Sequence, residues 1–105
     1  MNIQYKKGVI ELCILAQLNK SDMYGYELST VISKEMDISD GTVYPILRKL
    51  KQEGLVTTYL SEDSGGPARK YYSITKMGIE SFKVDAKEWT DFTELVKRMI
   101  GDEMK

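Results

Sequence analysis

Apolar residues recur along this chain with helical spacing in four segments, and they cluster with β-branched residues in two short runs. The first two helices are predicted over about Ile3 to Leu18 and about Met23 to Glu35, where apolar residues return every three or four positions. The first is apolar around more than half of its circumference, so we expect it to be buried on most sides. Ser21 or Asp22 is a suitable N-cap for the second. Gly25 is a poor helix former, which predicts close packing against a neighbour.

A third helix is predicted after the short turn that ends at Ser39, a good N-cap. It continues to Glu53, and Gly54 stands where helices commonly end on a glycine. Pro45 removes one backbone donor, so we expect a kink in the first turns. One stripe of the helix is apolar and predicts the buried face: Val43, Ile46, Leu47 and Leu50.

Two runs rich in Val, Thr and Tyr follow, Leu55 to Leu60 and Arg69 to Ile74, and they predict a hairpin. The eight-residue loop between them contains Gly-Gly-Pro, so we expect the loop to project from the sheet. Tyr71 and Tyr72 alternate across the second strand. One of the two rings is therefore expected in the core and the other outside.

The last helix is predicted from a cap at Thr75 to about Gly101. Its seam follows a 3-4-3-4-3 spacing typical of coiled coils, and it consists of Phe82, Asp85, Trp89, Phe92, Val96 and Met99. Only Asp85 in this seam is polar, and the helix has more apolar surface than one small domain can cover. We therefore predict a homodimer whose interface contains the five apolar seam residues.

The order helix, helix, turn, helix, hairpin, long helix predicts a winged helix-turn-helix, an α+β fold that is mainly α. We expect a DNA-binding domain over residues 1–75 and a dimerisation helix over residues 76–105. In this fold the third helix enters the major groove and the hairpin, or wing, reaches the neighbouring backbone.

Charge and composition limit this interpretation without overturning it. A net charge of −1 is unusual for a DNA-binding protein. Between Gly41 and Thr75, however, five basic residues stand against three acidic ones, so this segment is mildly positive. We find no apolar run long enough to span a membrane and no cleavable leader pattern. A cytoplasmic protein without a membrane partner is therefore expected.

The residue types needed for catalysis are scarce. There is no histidine, which removes the commonest general base and the commonest metal ligand. Cys13 is the only cysteine; we interpret it as a small buried hydrophobe, with a redox sensor as the alternative. We predict no enzyme, no cofactor and no metal site.

Five motifs in order resemble the PadR family of transcriptional regulators. They are KGVIEL (7–12), YGYEL (24–28), GTVYPILRKL (41–50), EGLV (53–56) and RKYY (69–72), followed by Thr75 and Gly78. The family commonly has leucine where Val43 stands, a harmless change, and arginine near Pro67 or Ala68. The second difference removes a cation from the tip of the wing.

The predicted DNA contacts lie on the third helix and the wing. Hydroxyl groups of Ser39, Thr42 and Tyr44 stand at the positive end of the helix dipole, where they are suited to phosphates or base edges. Cations follow about one turn later and on the wing: Arg48, Lys49, Arg69 and Lys70. For Tyr44 and Pro45 the alternative is that they only shape the kinked helix.

Trp89 allows two compatible interpretations. It is an anchor of the dimer core, as aromatic residues often are, or it borders a cavity for a planar small molecule together with the tryptophan of a second copy. The second interpretation comes from the resemblance to small PadR-like regulators. The residues expected to line such a cavity are Trp89, Phe92, Asp85, Tyr5, Gly8 and Leu12.

These predictions together describe a homodimeric regulator of an inverted-repeat operator in double-stranded DNA. Repression, and release by a planar hydrophobic effector, are implied by the resemblance alone. The alternative is a winged helix that has lost DNA binding and acts as a protein-interaction module through its long helix. The acidic balance of the whole chain favours this alternative.

Overall fold

The computed structural model of the chain describes residues 3–62 and 65–101, with side chains from Gly8 onward. The chain forms four helices and three short strands, in the order α1 (Ile3–Lys20), β1 (Met23–Tyr24), α2 (Gly25–Met36), α3 (Asp40–Gln52), β2 (Val56–Ser61), β3 (Arg69–Ile74) and α4 (Lys76–Ile100). This is the predicted mainly helical winged helix-turn-helix.

The sheet has three antiparallel strands in the order β1-β3-β2 rather than the predicted two. Met23 and Tyr24, expected in the second helix, pair instead with Tyr72 and Tyr71. Gly25 starts α2 directly after this strand, and a Cβ there would lie 3.2 Å from Cε1 of Tyr72. The close packing predicted for Gly25 is thus confirmed, and it lets β1 reach the edge of the hairpin.

The predicted caps of α2 are wrong. Its N-cap is Tyr24, whose side chain makes no capping hydrogen bond, because β1 carries the chain past Ser21 and Asp22 before the helix begins. The hydroxyl of Tyr59 instead donates a 2.6 Å hydrogen bond to Oδ2 of Asp22. This bond ties the break between α1 and β1 to strand β2.

The core lies where α1, α2 and α3 meet the inner face of the hairpin. The apolar stripe predicted for α3 is buried in full, and α1 contributes as many buried apolar residues as α3 does. The buried apolar residues are Ile10, Ile14, Leu15, Leu18, Leu28, Ile32, Val43, Ile46, Leu47, Leu50, Val56 and Tyr72. Tyr71 is half-buried on the opposite face of β3, so the predicted division between the two tyrosines is confirmed.

The junction between the hairpin and α4 is held by several short contacts. Oγ1 of Thr75 accepts the backbone N–H of Gly78 at 3.0 Å, which confirms the predicted cap, and donates to the carbonyl of Gly54 at 2.7 Å. Gly54 has a positive φ of 77°, a backbone region that favours glycine. Phe82 packs against the core from the first turns of α4. The start of α4 is therefore fixed on the domain.

The distal half of α4 leaves the domain with its apolar face uncovered. Met99 is 80% exposed, and Phe92, Leu95 and Ile100 are also exposed. Among the described residues, no helix combines the length and the apolar content needed to cross a membrane.

Candidate nucleic-acid interface

The N-terminal end of α3 presents hydroxyl groups and one carboxylate at the surface. The hydroxyls of Ser39 and Thr42 lie 3.1 Å apart and share a hydrogen bond, so neither caps the helix by the side-chain bond predicted for Ser39. Asp40, the first residue of α3, accepts a 3.3 Å hydrogen bond from the buried hydroxyl of Ser29. This bond fixes the start of α3 against α2.

Four of the predicted DNA contacts gather around one open cavity of about 660 Å³, which we call the basic groove. Tyr44 and Arg48 line it from α3, and Arg69 and Lys70 from β3. The remaining wall is aromatic or backbone: Tyr24, Gly25, Tyr26 and Tyr72. Tyr44 and Arg48 are four positions apart and therefore share one helix face. The groove thus joins the outward face of α3 to the wing.

Stacked tyrosines hold the wing arginine in place. The guanidinium carbon of Arg69 lies 4.6 Å from the centroid of the Tyr24 ring, within the range of a cation–π contact. Tyr24 in turn lies 5.9 Å from the ring of Tyr71, which stacks on Tyr59 at 5.6 Å. Arg69 is exposed, but its head group rests on a supported ring.

A buried phenol forms the floor of the basic groove. Burial raises the pKa of Tyr72, and the neighbouring Tyr44 adds to the rise while Arg48 opposes it. The phenol therefore stays protonated throughout the neutral range. Its hydroxyl therefore remains able to donate a hydrogen bond, and it lies close enough to Arg48 to be influenced by that cation.

Lys49 lies outside the basic groove. One residue further along α3 than Arg48, it turns toward α1, where Nζ forms an ion pair with Oε1 of Glu11. The hydrogen bond to Glu11, and then the charge of that carboxylate, raise the pKa of Lys49. Lys49 and Arg48 were predicted to contact DNA together, whereas the structure separates the two cations.

A second cavity, of about 350 Å³, lies between α1 and α4, and we call it the α1–α4 cavity. It is lined by Gly8, Val9, Glu11, Leu12, Asp85, Glu88, Trp89 and Phe92. The rings of Trp89 and Phe92 lie 6.2 Å apart. The structure therefore brings together the predicted effector-site residues on both helices, and the side chain of Tyr5 lies outside the described residues.

Part of the predicted dimer seam packs against the rest of the chain, and part of it is exposed to solvent. Phe82, Trp89 and Val96 are half-buried within one chain, whereas Phe92 and Met99 are exposed. Leu95 and Ile100 extend the exposed apolar surface beside this seam. These side chains occupy one long face of α4, which is the geometry expected of a helix that packs against a second copy.

Tyr24 and Tyr26 line the basic groove although neither was predicted as a DNA-contact residue. Both tyrosines belong to a motif that carried the family resemblance, but Tyr24 was predicted only as part of the apolar stripe of the second helix, and no role was predicted for Tyr26. Tyr26 is 66% exposed and lies next to the cations of the wing. The sequence carries no signal that separates an exposed tyrosine from a buried one here, because tyrosine is common in both environments.

The described residues contain no group of three or more histidine, cysteine or acidic side chains placed to hold a metal ion. Cys13 is partly buried against the core, and burial raises the pKa of its thiol. A thiol with a raised pKa is a poor nucleophile at neutral pH. This environment favours the packing interpretation of Cys13 over the redox sensor.

The chain is similar to a family of transcription factors over most of its length. The family model described as the transcriptional regulator PadR-like family matches residues 14–84. A crystal structure of a PadR-like transcriptional regulator from Bacillus cereus superposes with a TM-score of 0.86 at 37% identity, over 95% of this chain and 99% of that one.

Two curated relatives differ in length. An uncharacterised protein of Lysinibacillus sphaericus is 31% identical over 94 residues, which cover 86% of each chain. The negative transcriptional regulator PadR of Bacillus subtilis is 24% identical over 99 residues, which cover 90% of this chain and 52% of that protein. The present chain therefore spans about half the length of the second relative.

Proposed function

The chain belongs to the PadR-like family of transcriptional regulators, and on this basis we propose that it is a homodimeric repressor that binds an inverted repeat in double-stranded DNA in the cytoplasm. The observation that carries the proposal is the basic groove, in which Arg48 of α3 and Arg69 of the wing flank the aromatic wall. Helix and wing then contact the same stretch of duplex, α3 in the major groove and β3 at the adjacent phosphates.

Local charge supports this role better than the net charge does. Arg48, Arg69 and Lys70 line one cavity, so their positive potential acts together on a phosphate backbone. Most phosphate contacts fix register, and base edges are read by side chains at the start of the recognition helix. Thr42 and Tyr44 hold that position here and are the candidates for base contact.

The uncovered apolar face of α4 supports the proposed dimerisation. One recognition helix makes few contacts, whereas two copies related by a two-fold axis double them and read two half-sites about one helical turn apart. The exposed side chains of Phe92 and Met99 are best covered by the α4 helix of a second copy. Repression is the expected sign because the Bacillus subtilis relative is named as a negative regulator.

The α1–α4 cavity is the candidate site for a planar hydrophobic effector that lowers operator affinity. Trp89 and Phe92 offer aromatic faces there, while Leu12 and Gly8 supply the opposite wall. The cavity stands at the base of the proposed dimer helix, so a ligand that spreads α1 from α4 changes the spacing of the two recognition helices. The same Trp89 serves the dimer core in the absence of ligand.

The test of the main proposal is recovery of sheared genomic DNA on the purified full chain at moderate salt, followed by sequencing. We expect one or a few sites that share an inverted repeat, together with a solution mass of twice 12.0 kDa. Random fragments, or none, would instead favour a protein-interaction module that uses the apolar face of α4.

Effector binding predicts a change in tryptophan emission, because Trp89 is the only tryptophan. Titration with flat aromatic dyes should quench its fluorescence saturably. Phe92→Ala should weaken that binding roughly tenfold, since one face of the aromatic site is lost. Val84→Ala is the matched control, because it shortens another exposed apolar side chain of α4 that does not line the cavity. Unchanged emission across chemically diverse dyes would contradict an effector site at Trp89.

A further inference from the structure

Glu11 connects the α1–α4 cavity to helix α3. Its side chain lines the α1–α4 cavity beside Trp89 and Glu88, and its carboxylate also holds the ammonium of Lys49 on the recognition helix α3. The two residues are 38 positions apart in sequence. The contact therefore exists only because the fold packs α1 against α3.

We propose that the ion pair with Glu11 keeps Lys49 from contacting DNA. Because Glu11 also lines the α1–α4 cavity, a ligand in that cavity that binds Glu11 would change the affinity for the operator. The inference rests on the proposed DNA-binding function. Lys49 is more than half exposed, with 55% of its side chain accessible, and a lysine can swing over several ångströms. To reach a phosphate, Lys49 must break its ion pair with Glu11, whose side chain is about three-quarters buried.

Moving Lys49 from Glu11 to a phosphate destabilises the Glu11 carboxylate. When Lys49 leaves, the carboxylate loses a hydrogen bond and its neutralising charge while it stays partly shielded from water, which is unfavourable. The free carboxylate also repels the approaching phosphates. Both effects subtract from the gain of the new phosphate contact, so Lys49 contributes less to DNA binding than an unpaired lysine would.

The sign of the coupling follows from the competition for Glu11. Asp85 and Glu88 line the same cavity from α4, opposite Glu11 on α1, so the cavity is negative and favours cationic ligands. A cation that reaches Glu11 from the cavity frees Lys49 and strengthens DNA binding through this pair, whereas an uncharged effector leaves the pair intact. By linkage, bound DNA strengthens the binding of that cation by the same factor.

The Glu11→Gln variant removes the charge that holds Lys49, as a cation bound at Glu11 would. It tests the proposal on the full chain with the recovered operator. We expect Glu11→Gln to bind roughly 5- to 10-fold more tightly at 100 mM KCl, with a log–log salt slope steeper by about 0.9 per protomer, since one more phosphate contact forms on each. Glu80→Gln is the matched control. It removes the same charge from an exposed carboxylate of α4 that lines neither cavity.

The double variant Glu11→Gln/Lys49→Gln separates release of Lys49 from a simple change of net charge. Relative to Lys49→Gln alone, the added Glu11 substitution should then change affinity no more than Glu80→Gln does. If Glu11→Gln and Glu80→Gln change operator affinity equally, the proposed coupling is wrong. Specific, salt-dependent binding by the parent chain would still support the proposed function in that case. Absence of any operator binding by the parent chain would overturn both.

Discussion

Replacement of both Arg48 and Arg69 with glutamine should weaken operator binding by roughly a hundredfold or more at moderate salt. The two guanidinium groups face the same basic groove from α3 and from β3. In a dimer the double variant removes four cations from the DNA surface. The slope of log affinity against log salt should therefore become shallower by about 3 to 4.

Binding is measured by fluorescence anisotropy with the recovered operator and with an unrelated duplex, over a range of KCl concentrations. Lys51→Gln/Lys76→Gln is the matched control, because it removes the same charge from exposed positions outside the groove. If both double variants bind equally well, the charge of the groove does not hold the DNA. The apolar face of α4 then becomes the principal interaction surface of the protein.

Thermal unfolding of the Arg48→Gln/Arg69→Gln variant should stay close to that of the parent chain. Both side chains are exposed, and the cation–π contact of Arg69 with Tyr24 contributes only about 0.5–1 kcal/mol at such a site. A loss of DNA binding without a loss of stability is the combination that separates a contact residue from a structural one.

The parts of the fold set by local signals were predictable from the sequence. The boundaries of α3 follow from Ser39 before it and Gly54 after it, and the structure agrees within one residue at each end. Strand β3 occupies the predicted range. Caps, glycines and apolar periodicity act over a few residues, so one sequence is enough to read them.

Features that depend on tertiary packing were not predictable in the same way. Strand β1 is two residues long and carries helix-like spacing, and only its pairing with β3 overrides that pattern. Lys49 follows Arg48 in the chain, but successive residues of a helix point about 100° apart. Arg48 therefore faces the basic groove while Lys49 meets Glu11, whose position relative to α3 the sequence does not reveal.

The Gly78→Ala variant should lose about 3 kcal/mol of unfolding free energy or more. A Cβ at this position would lie 2.1 Å from the carbonyl oxygen of Leu55 and 2.8 Å from Cγ1 of Ile74. The Leu55 carbonyl accepts the N–H of Thr75 at 3.1 Å, so it is not free to rotate away. The added methyl group must displace α4 as a whole from the base of the hairpin.

Gly41→Ala is the matched control for that variant, since Gly41 also lies in the first turn of a helix and its Cβ would meet only Oγ of Ser39, at 3.9 Å. Its stability should rise by up to about 1 kcal/mol, because alanine favours the helix more than glycine does. Urea unfolding at one fixed protein concentration compares the two, since dimerisation makes stability concentration-dependent. A Gly78→Ala protein as stable as the parent would mean that α4 does not start against Leu55. The wing would then not be rigidly linked to α4, the proposed dimer helix. A ligand beside Trp89 could not move the recognition helices through that link.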